Sequence, residues 1–333
     1  MRALQEWRID LCDSCKHIQP TKTKAVLYCI ALSTCFVGCL YAFIPSTIRA
    51  LDRNHAQQIR RRVMVVTITS AASTLIYPFV FCSDGPELNN PSPSALEIMG
   101  WQSSVQPLFG VLVHTALLYL GPIVTALLHF HITCRRGGRD PTPFSSLCAY
   151  FIHPLLSPYF DPMDDSERWS QIRNIIVAPI TEEIVFRGCM MPPLLASGFE
   201  PITATFVVPL FFGAAHAHHA VSKLQEGVKP IDVAISTAFQ FIYTSLFGSY
   251  AAYAFLRTGS IPAVILSHTF CNSMGIPDLS FLSATGKRYS SLHEYRVFLV
   301  MTYLLGIAAF IFGFRSDTLL VLPSRLPALV SVL

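Results

Sequence analysis

The chain has 333 residues, of which 52% are hydrophobic and 13% charged, with a formal net charge of +4. A soluble domain carries about 25% charged residues, so the composition excludes an ordinary soluble globular protein, and the hydrophobicity excludes intrinsic disorder. The small positive excess makes no case for nucleic acid as a partner; with its basic residues gathered in loops, the chain fits a lipid bilayer with anionic headgroups.

The first 24 residues are polar. They are too long and too mixed for a cleaved signal peptide, so the first apolar run is expected to stay in the membrane as a signal anchor. Cys12 and Cys15 form a single CxxC with no second pair, a weak basis for zinc. Cys29, Cys35, Cys39, Cys189 and Cys271 fall in apolar runs, where a thiol is a small hydrophobe.

Eight apolar runs follow, at about 25–44, 63–81, 105–133, 171–196, 201–217, 232–256, 261–279 and 297–314. Each, at about 17 to 29 residues, is expected to be long enough to cross a hydrocarbon core of ~30 Å. The expected fold is all-α: a polytopic helical transmembrane protein with about eight membrane helices around a polar intramembrane cavity. In 105–133, Pro107 and Pro122 predict a kink or a tilt. The tail from 319 is apolar but broken by Pro323 and Pro327, and is expected in the interface. Loops 46–62, 134–170, 218–231 and 280–296 all fall on one side and hold fourteen lysines and arginines, against eight on the other side. That bias favours those four loops in the cytosol, although the basic N-terminal segment argues the other way.

The first three runs carry no carboxylate, but the fourth, fifth and seventh carry polar groups at depth. A charge inside a span costs about 2.5–3.5 kcal/mol on insertion scales and so needs a partner or a function. Residues 176–188 read IVAPITEEIVFRG, with Glu182 and Glu183 about 11 residues into the run, ~17 Å deep at 1.5 Å per residue. Glu183 and Arg187 are spaced i, i+4 and can pair on one helical face. Glu182 is rotated by about 100° and points elsewhere. A purely structural ion pair would account for Glu183 and Arg187, but not for the second carboxylate.

Residues 209–219 read PLFFGAAHAHH. Phe212 and His216 share one face, and Gly213, Ala214 and Ala215 would admit a closely packed helix. His218 and His219 lie nearer the loop and are assigned supporting or structural roles. Residues 266–272 read LSHTFCN, which sets His268 and Asn272 side by side at i, i+4. Alone, that pair would serve as an interhelical hydrogen bond, worth ~0.6 kcal/mol in a membrane. Together the three runs supply two carboxylates, two histidines, an arginine and an asparagine. No serine or cysteine is clearly poised beside a base. The set suits water activation by a carboxylate with a histidine as helper, and oxyanion stabilisation by a second histidine with an asparagine. The residues thus point to a hydrolase acting within the membrane on an amide.

The ordered triple Glu182-Glu183-x-x-x-Arg187, Phe212-x-x-x-His216 and His268-x-x-x-Asn272 resembles the three motifs of the type II CAAX prenyl endopeptidases, which are glutamate-dependent intramembrane proteases. The longer stretches 178–195, 209–224 and 238–275 share the resemblance, which covers about residues 170–278. It implies removal of the last three residues from farnesylated or geranylgeranylated CaaX proteins at the endoplasmic reticulum membrane, with a site reached from the cytosol. By motif position, it makes Glu182 the base for water, with His216 assisting. His268 and Asn272 would stabilise the oxyanion, while Glu183, Arg187 and Phe212 support the site. It implies no cofactor and no metal. Phe239, Phe241 and Phe247 could line a groove for the prenyl chain. The organisation expected on this basis is a polar segment 1–24, membrane helices and loops 25–170, a catalytic membrane core 171–279, and a last helix and tail 280–333.

Two other readings stay open. Glu182, His216 and His268 could hold zinc with water in the fourth position. Alternatively, the polar cavity could bind an ion or partner helix in a transporter or scaffold without catalysis.

Overall fold

The structure is a computed structural model that describes residues 16–17, 19–83, 94–101, 104–138, 142, 162–216, 218–285 and 288–314. Cys12 and Cys15, the loop stretch 143–161 and the tail 319–333 lie outside the described residues.

The helices, in chain order, are α1 (Lys22–Ala42), α2 (Ala56–Phe81), α3 (Gln106–Leu118), α4 (Leu120–Arg136), α5 (Asp165–Gln171), α6 (Ala178–Glu183), α7 (Met191–Ala196), α8 (Pro201–Ala215), α9 (His218–Gln225), α10 (Pro230–Thr258), α11 (Ile261–Met274) and α12 (Arg296–Gly313). Single turns such as Ser46–Arg49 and Ala95–Ile98 join them. Lys16–His17 pairs antiparallel with Cys82–Ser83. The expected helical class holds.

Local chemistry sets the ends. Thr21 accepts a hydrogen bond from the Lys24 amide at the start of α1, and His55 Nδ1 accepts from the Gln57 amide at the start of α2; both satisfy amides that a first turn leaves without partners. Helix α10 stops at Gly259, whose φ of 59° is a left-handed conformation that glycine adopts without a Cβ clash.

Among the described residues, four helices are long and apolar enough to cross a membrane: α1, α2, α10, and α12 with the 3₁₀ turn before it, Ser290–Gly313. The count reaches five if α3 and α4, bent by 74°, form one broken span. The bend falls where Pro122 has no N–H for the carbonyl of Leu118, the last residue of α3, so the kink expected from this proline is present. The runs 201–217 and 261–279 form single helices of fifteen and fourteen residues, whereas 171–196 falls in contiguous α and π turns over 165–189 followed by α7. A fifteen-residue helix is only about 22 Å long, short of a full crossing. Helix α2 starts at Ala56, so Arg60, Arg61 and Arg62, read from the sequence as loop residues, occupy its first two turns.

Two π-helical turns, Ile172–Val177 and Ile184–Cys189, interrupt the fourth run. Each precedes prolines. Pro179 cannot bond to the Ile175 carbonyl, nor Pro192 and Pro193 to those of Gly188 and Cys189. Lost i→i−4 partners of this kind widen the helix locally, and such turns concentrate at functional sites.

The chain divides into two compact units. The first comprises the described residues up to Ser104 together with Val177–Ile265. Its main packing is α8 against α10, allowed by glycines. A Cβ on Gly213 would lie 2.6 Å from Ser245 Oγ, and one on Gly248 would lie 2.9 Å from Pro209 Cβ. Of the three small residues noted after Phe212, Gly213 makes this approach and Ala214 is exposed. Ile235, Phe239, Ile242 and Leu246 form an exposed apolar stripe along α10, the surface a helix offers to lipid.

The second unit comprises Val105–Ile176 and the described residues from Leu266 on. Its core gathers Phe281, Tyr289, Leu292 and Leu299, with Val124, Leu128 and Tyr303 packed against it. Buried His114 donates from Nε2 to the Phe310 carbonyl (2.9 Å) and stacks on the Phe310 ring. This satisfies one of the carbonyls that the last turn of α12 leaves unbonded.

Candidate active site

In the first unit, α6 and the π turn after it carry the acidic motif. Glu183 and Arg187 are fully buried. Arg187 Nη1 donates to Glu183 Oε1 at 3.1 Å and lies 3.0 Å from Oε2. Its Nη2 donates to the Gly248 carbonyl on α10 (3.1 Å), and the guanidinium lies over the Phe212 ring, 4.8 Å from the centroid. One cation thereby ties three helical segments through an ion pair, a backbone carbonyl and an aromatic face, the combination that makes a buried charge tolerable. A Cβ at Gly248 would lie 3.1 Å from Arg187 Nη2, so the missing side chain there is part of the cradle.

Glu182 is half-buried, not enclosed like its neighbour, and its charge also acts on Arg187. The preceding turn is pinned from α2, where Ser70 Oγ donates to the Thr181 carbonyl (3.3 Å).

The aromatic–histidine motif closes the same cluster. The Phe212 ring meets Phe186 edge-on at 5.1 Å and His216 at 4.8 Å. His216 Nδ1 donates to the Phe212 carbonyl (2.8 Å), which fixes the proton on Nδ1 and makes Nε2 the basic nitrogen of the neutral ring. His218 has the same tautomer, since its Nδ1 donates to the Ala215 carbonyl (2.6 Å). Burial pushes the His218 imidazole down to about 4, so it is neutral near pH 7 and its Nε2 accepts from Arg62 Nη2 at 3.5 Å.

A cavity of about 450 Å³ opens at His216, lined by Gly213 and by Thr237, Ala238, Gln240, Phe241 and Ile242 of α10. Of the three phenylalanines proposed for a groove, Phe241 lines it. Phe239 stacks instead on Tyr243, at 6.4 Å.

The third motif lies in the second unit, on α11. His268 is buried. Asn272 is exposed, and its Nδ2 donates to the Asn174 carbonyl (2.8 Å). One turn back, Thr269 Oγ1 donates to the Ile175 carbonyl (2.9 Å), the oxygen that Pro179 leaves without a helical partner. Buried Ser267 shares a hydrogen bond with Thr115 of α3 (2.8 Å).

The structure therefore brings Glu183, Arg187, Phe212 and His216 into one cluster with Glu182 beside it, and holds His268 and Asn272 in the second unit. Among the described residues, no group of three or more histidine, cysteine, aspartate or glutamate side chains is placed to hold a metal ion. Sequence reasoning missed Gly248, whose carbonyl receives Arg187. It also read Arg62 only as a marker of topology.

The site thus buries a glutamate–arginine pair against a phenylalanine–histidine pair in a helical protein with membrane-length apolar helices. The comparisons narrow this. Residues 165–274 match the family described as Type II CAAX prenyl endopeptidase Rce1-like. The CAAX prenyl protease 2 of Homo sapiens is 34% identical over 261 residues, 76% of this chain and 71% of that protein. The CAAX prenyl protease 2 of Arabidopsis thaliana is 31% identical over 272 residues, 79% and 82% of the two chains. That of Saccharomyces cerevisiae is 30% identical over 278 residues, 77% and 81%. No solved structure matches significantly. The chain belongs to the type II CAAX prenyl endopeptidase family and is a membrane peptidase.

Proposed function

We propose that this chain removes the C-terminal tripeptide from farnesylated or geranylgeranylated CaaX proteins, and that Glu182, His216, His268 and Asn272 carry the reaction. Glu182 takes a proton from water, whose oxygen attacks the scissile carbonyl while His216 Nε2 orients it. His268 and Asn272 donate to the oxyanion of the tetrahedral intermediate. The C–N bond then breaks, and the proton held by Glu182 passes to the leaving amine. The products are a prenylcysteine carboxylate and a free tripeptide.

The observation that carries this reading is the cluster around Arg187. It holds Glu183 with both carboxylate oxygens against one cation, while the adjacent Glu182 is less enclosed. The apolar cavity beside His216 suits a prenyl chain, which brings its lipid into the bilayer and its peptide to the surface. On this reading the shorter helices α8 and α11 and the interrupted run 171–196 also lie in the bilayer, giving about eight membrane segments. The active site faces the cytosol from the endoplasmic reticulum membrane.

The test is incubation of membranes holding the full chain with a farnesylated CaaX peptide, with mass analysis of the products. Wild type releases the tripeptide. Glu182→Ala folds but loses about 10²–10⁴-fold in rate, the worth of a general base. Rapid cleavage by Glu182→Ala would overturn the assignment. Chelators leave the rate unchanged, whereas dependence on stoichiometric zinc would favour the zinc reading.

A further inference from the structure

The first unit holds a second, larger cavity, of about 550 Å³, between the turn after α1, the start of α2, and α9. Three arginines line it: Arg49, Arg53 and Arg62. They are not equivalent. Arg49 Nη1 donates to the Tyr41 carbonyl (2.8 Å). Arg53 has the opposite charge of Glu226 acting on it. The other lining carboxylate, Asp52, accepts from the Asn54 amide and caps its own turn. Arg62 contacts His218 Nε2 at 3.5 Å, and among the described residues no carboxylate faces it. A guanidinium has five N–H donors in a planar fork suited to a carboxylate. The wall beside Arg62 is also fixed: Gln58 Nε2 donates to the carbonyls of Arg49 and Leu51 (3.1 and 3.0 Å) and holds the turn against α2.

This cavity adjoins the histidine motif. His218, which accepts from Arg62, is two residues from His216, and the Tyr41 ring on the cavity wall meets the His218 ring edge-on at 6.2 Å. Two residues of chain and one 3.5 Å contact therefore separate Arg62 from the imidazole assigned to water. An extended peptide spans about 3.3–3.6 Å per residue, so three residues reach about 10–11 Å.

We propose that the arginine-lined cavity receives the free α-carboxylate of the substrate peptide, with Arg62 as its ion-pairing group, so that the reach from Arg62 to the reacting carbonyl sets the released piece at three residues. This rests on the peptidase reading above. It adds that the enzyme measures from the chain end, an interaction no internal peptide bond can offer. Arg62 is here a binding residue for the leaving peptide.

The experiment compares two farnesylated CaaX peptides, one with a free C-terminal carboxylate and one with a C-terminal amide, cleaved by the full chain in vesicles of neutral lipid. Wild type prefers the acid by at least tenfold in kcat/KM. Arg62→Gln lowers kcat/KM for the acid to about the level of the amide, and Arg62→Lys restores part of the difference. Equal cleavage of both peptides by wild type would overturn the carboxylate assignment and leave the peptidase reading intact; that arm needs no variant to fold. Cleavage of neither peptide would remove the peptidase reading and this inference with it. If anionic lipid raises both rates and Arg62→Gln cancels that rise without touching the acid-to-amide ratio, the cavity binds a headgroup phosphate and the proposal fails.

Discussion

The two units hold polar side chains among apolar helices by opposite means. In the first, a full positive charge is buried and answered at once by Glu183, the Gly248 carbonyl and the Phe212 ring. In the second, the polar groups are neutral and are tied one by one to backbone carbonyls or to each other: Thr269 to Ile175, Asn272 to Asn174, Ser267 to Thr115. A buried charge is intolerant of partial loss, because removing one partner leaves the other uncompensated in a low dielectric. A neutral tie is worth only about 1 kcal/mol net and can be lost singly. The first unit should therefore fail as a block and the second by degrees.

The strongest test of that contrast is Glu183→Ala. It leaves Arg187 buried without its carboxylate and should destabilise the protein by about 3–5 kcal/mol, read as a lower unfolding midpoint in detergent and a lower steady-state amount in membranes. A midpoint equal to wild type would show that the Gly248 carbonyl and Phe212 suffice to hold the cation. Asn272→Ala comes next and sharpens the comparison from the other side. If Asn272 donates to the oxyanion as proposed, Asn272→Ala lowers kcat by about 10²-fold with little change in KM, while stability falls by no more than one exposed hydrogen bond. A fall in stability without a fall in kcat would reduce Asn272 to a tie between α11 and Asn174. The smallest effect belongs to Thr269→Val, which removes only the bond to Ile175. It should lower stability by about 1 kcal/mol and leave kcat/KM unchanged. A large loss of activity there would mean that this neutral bond also sets the geometry of His268, one residue away.

The sequence disclosed pairings better than paths. Glu183 with Arg187 and Phe212 with His216 were legible because i, i+4 spacing puts side chains on one face, and both pairs meet as expected. The spacing of His268 and Asn272 told less, since the amide of Asn272 turns to a backbone carbonyl of another segment. Among the described residues, fewer helices are long and apolar enough to cross a membrane than the eight runs read from hydropathy, and one reason is physical. Hydropathy counts apolar residues but does not register that Pro179, Pro192 and Pro193 withhold the N–H groups an unbroken helix needs. The π turns at Ile172–Val177 and Ile184–Cys189 follow from that shortage. So does the open carbonyl of Ile175 that Thr269 takes up. The cradle around Arg187 was hidden for another reason: its partner at Gly248 is a backbone oxygen sixty-one residues away, and a backbone acceptor leaves no mark in a sequence. Arg62 was visible as a basic residue, but which of the described residues face it is a property of its surroundings.

Under the proposed function, Glu182 and His268 act in the same step of the reaction. The measurement that addresses it most directly is a double-mutant cycle on Glu182→Ala and His268→Ala, reading tripeptide release from a farnesylated CaaX peptide in membranes. Residues that act as one unit are grossly non-additive. Each single variant should lose about 10²–10⁴-fold, with the double variant no worse than the poorer of the two. Losses that multiply, taking the double variant far below either single one, would show that Glu182 and His268 act independently and would contradict a shared site.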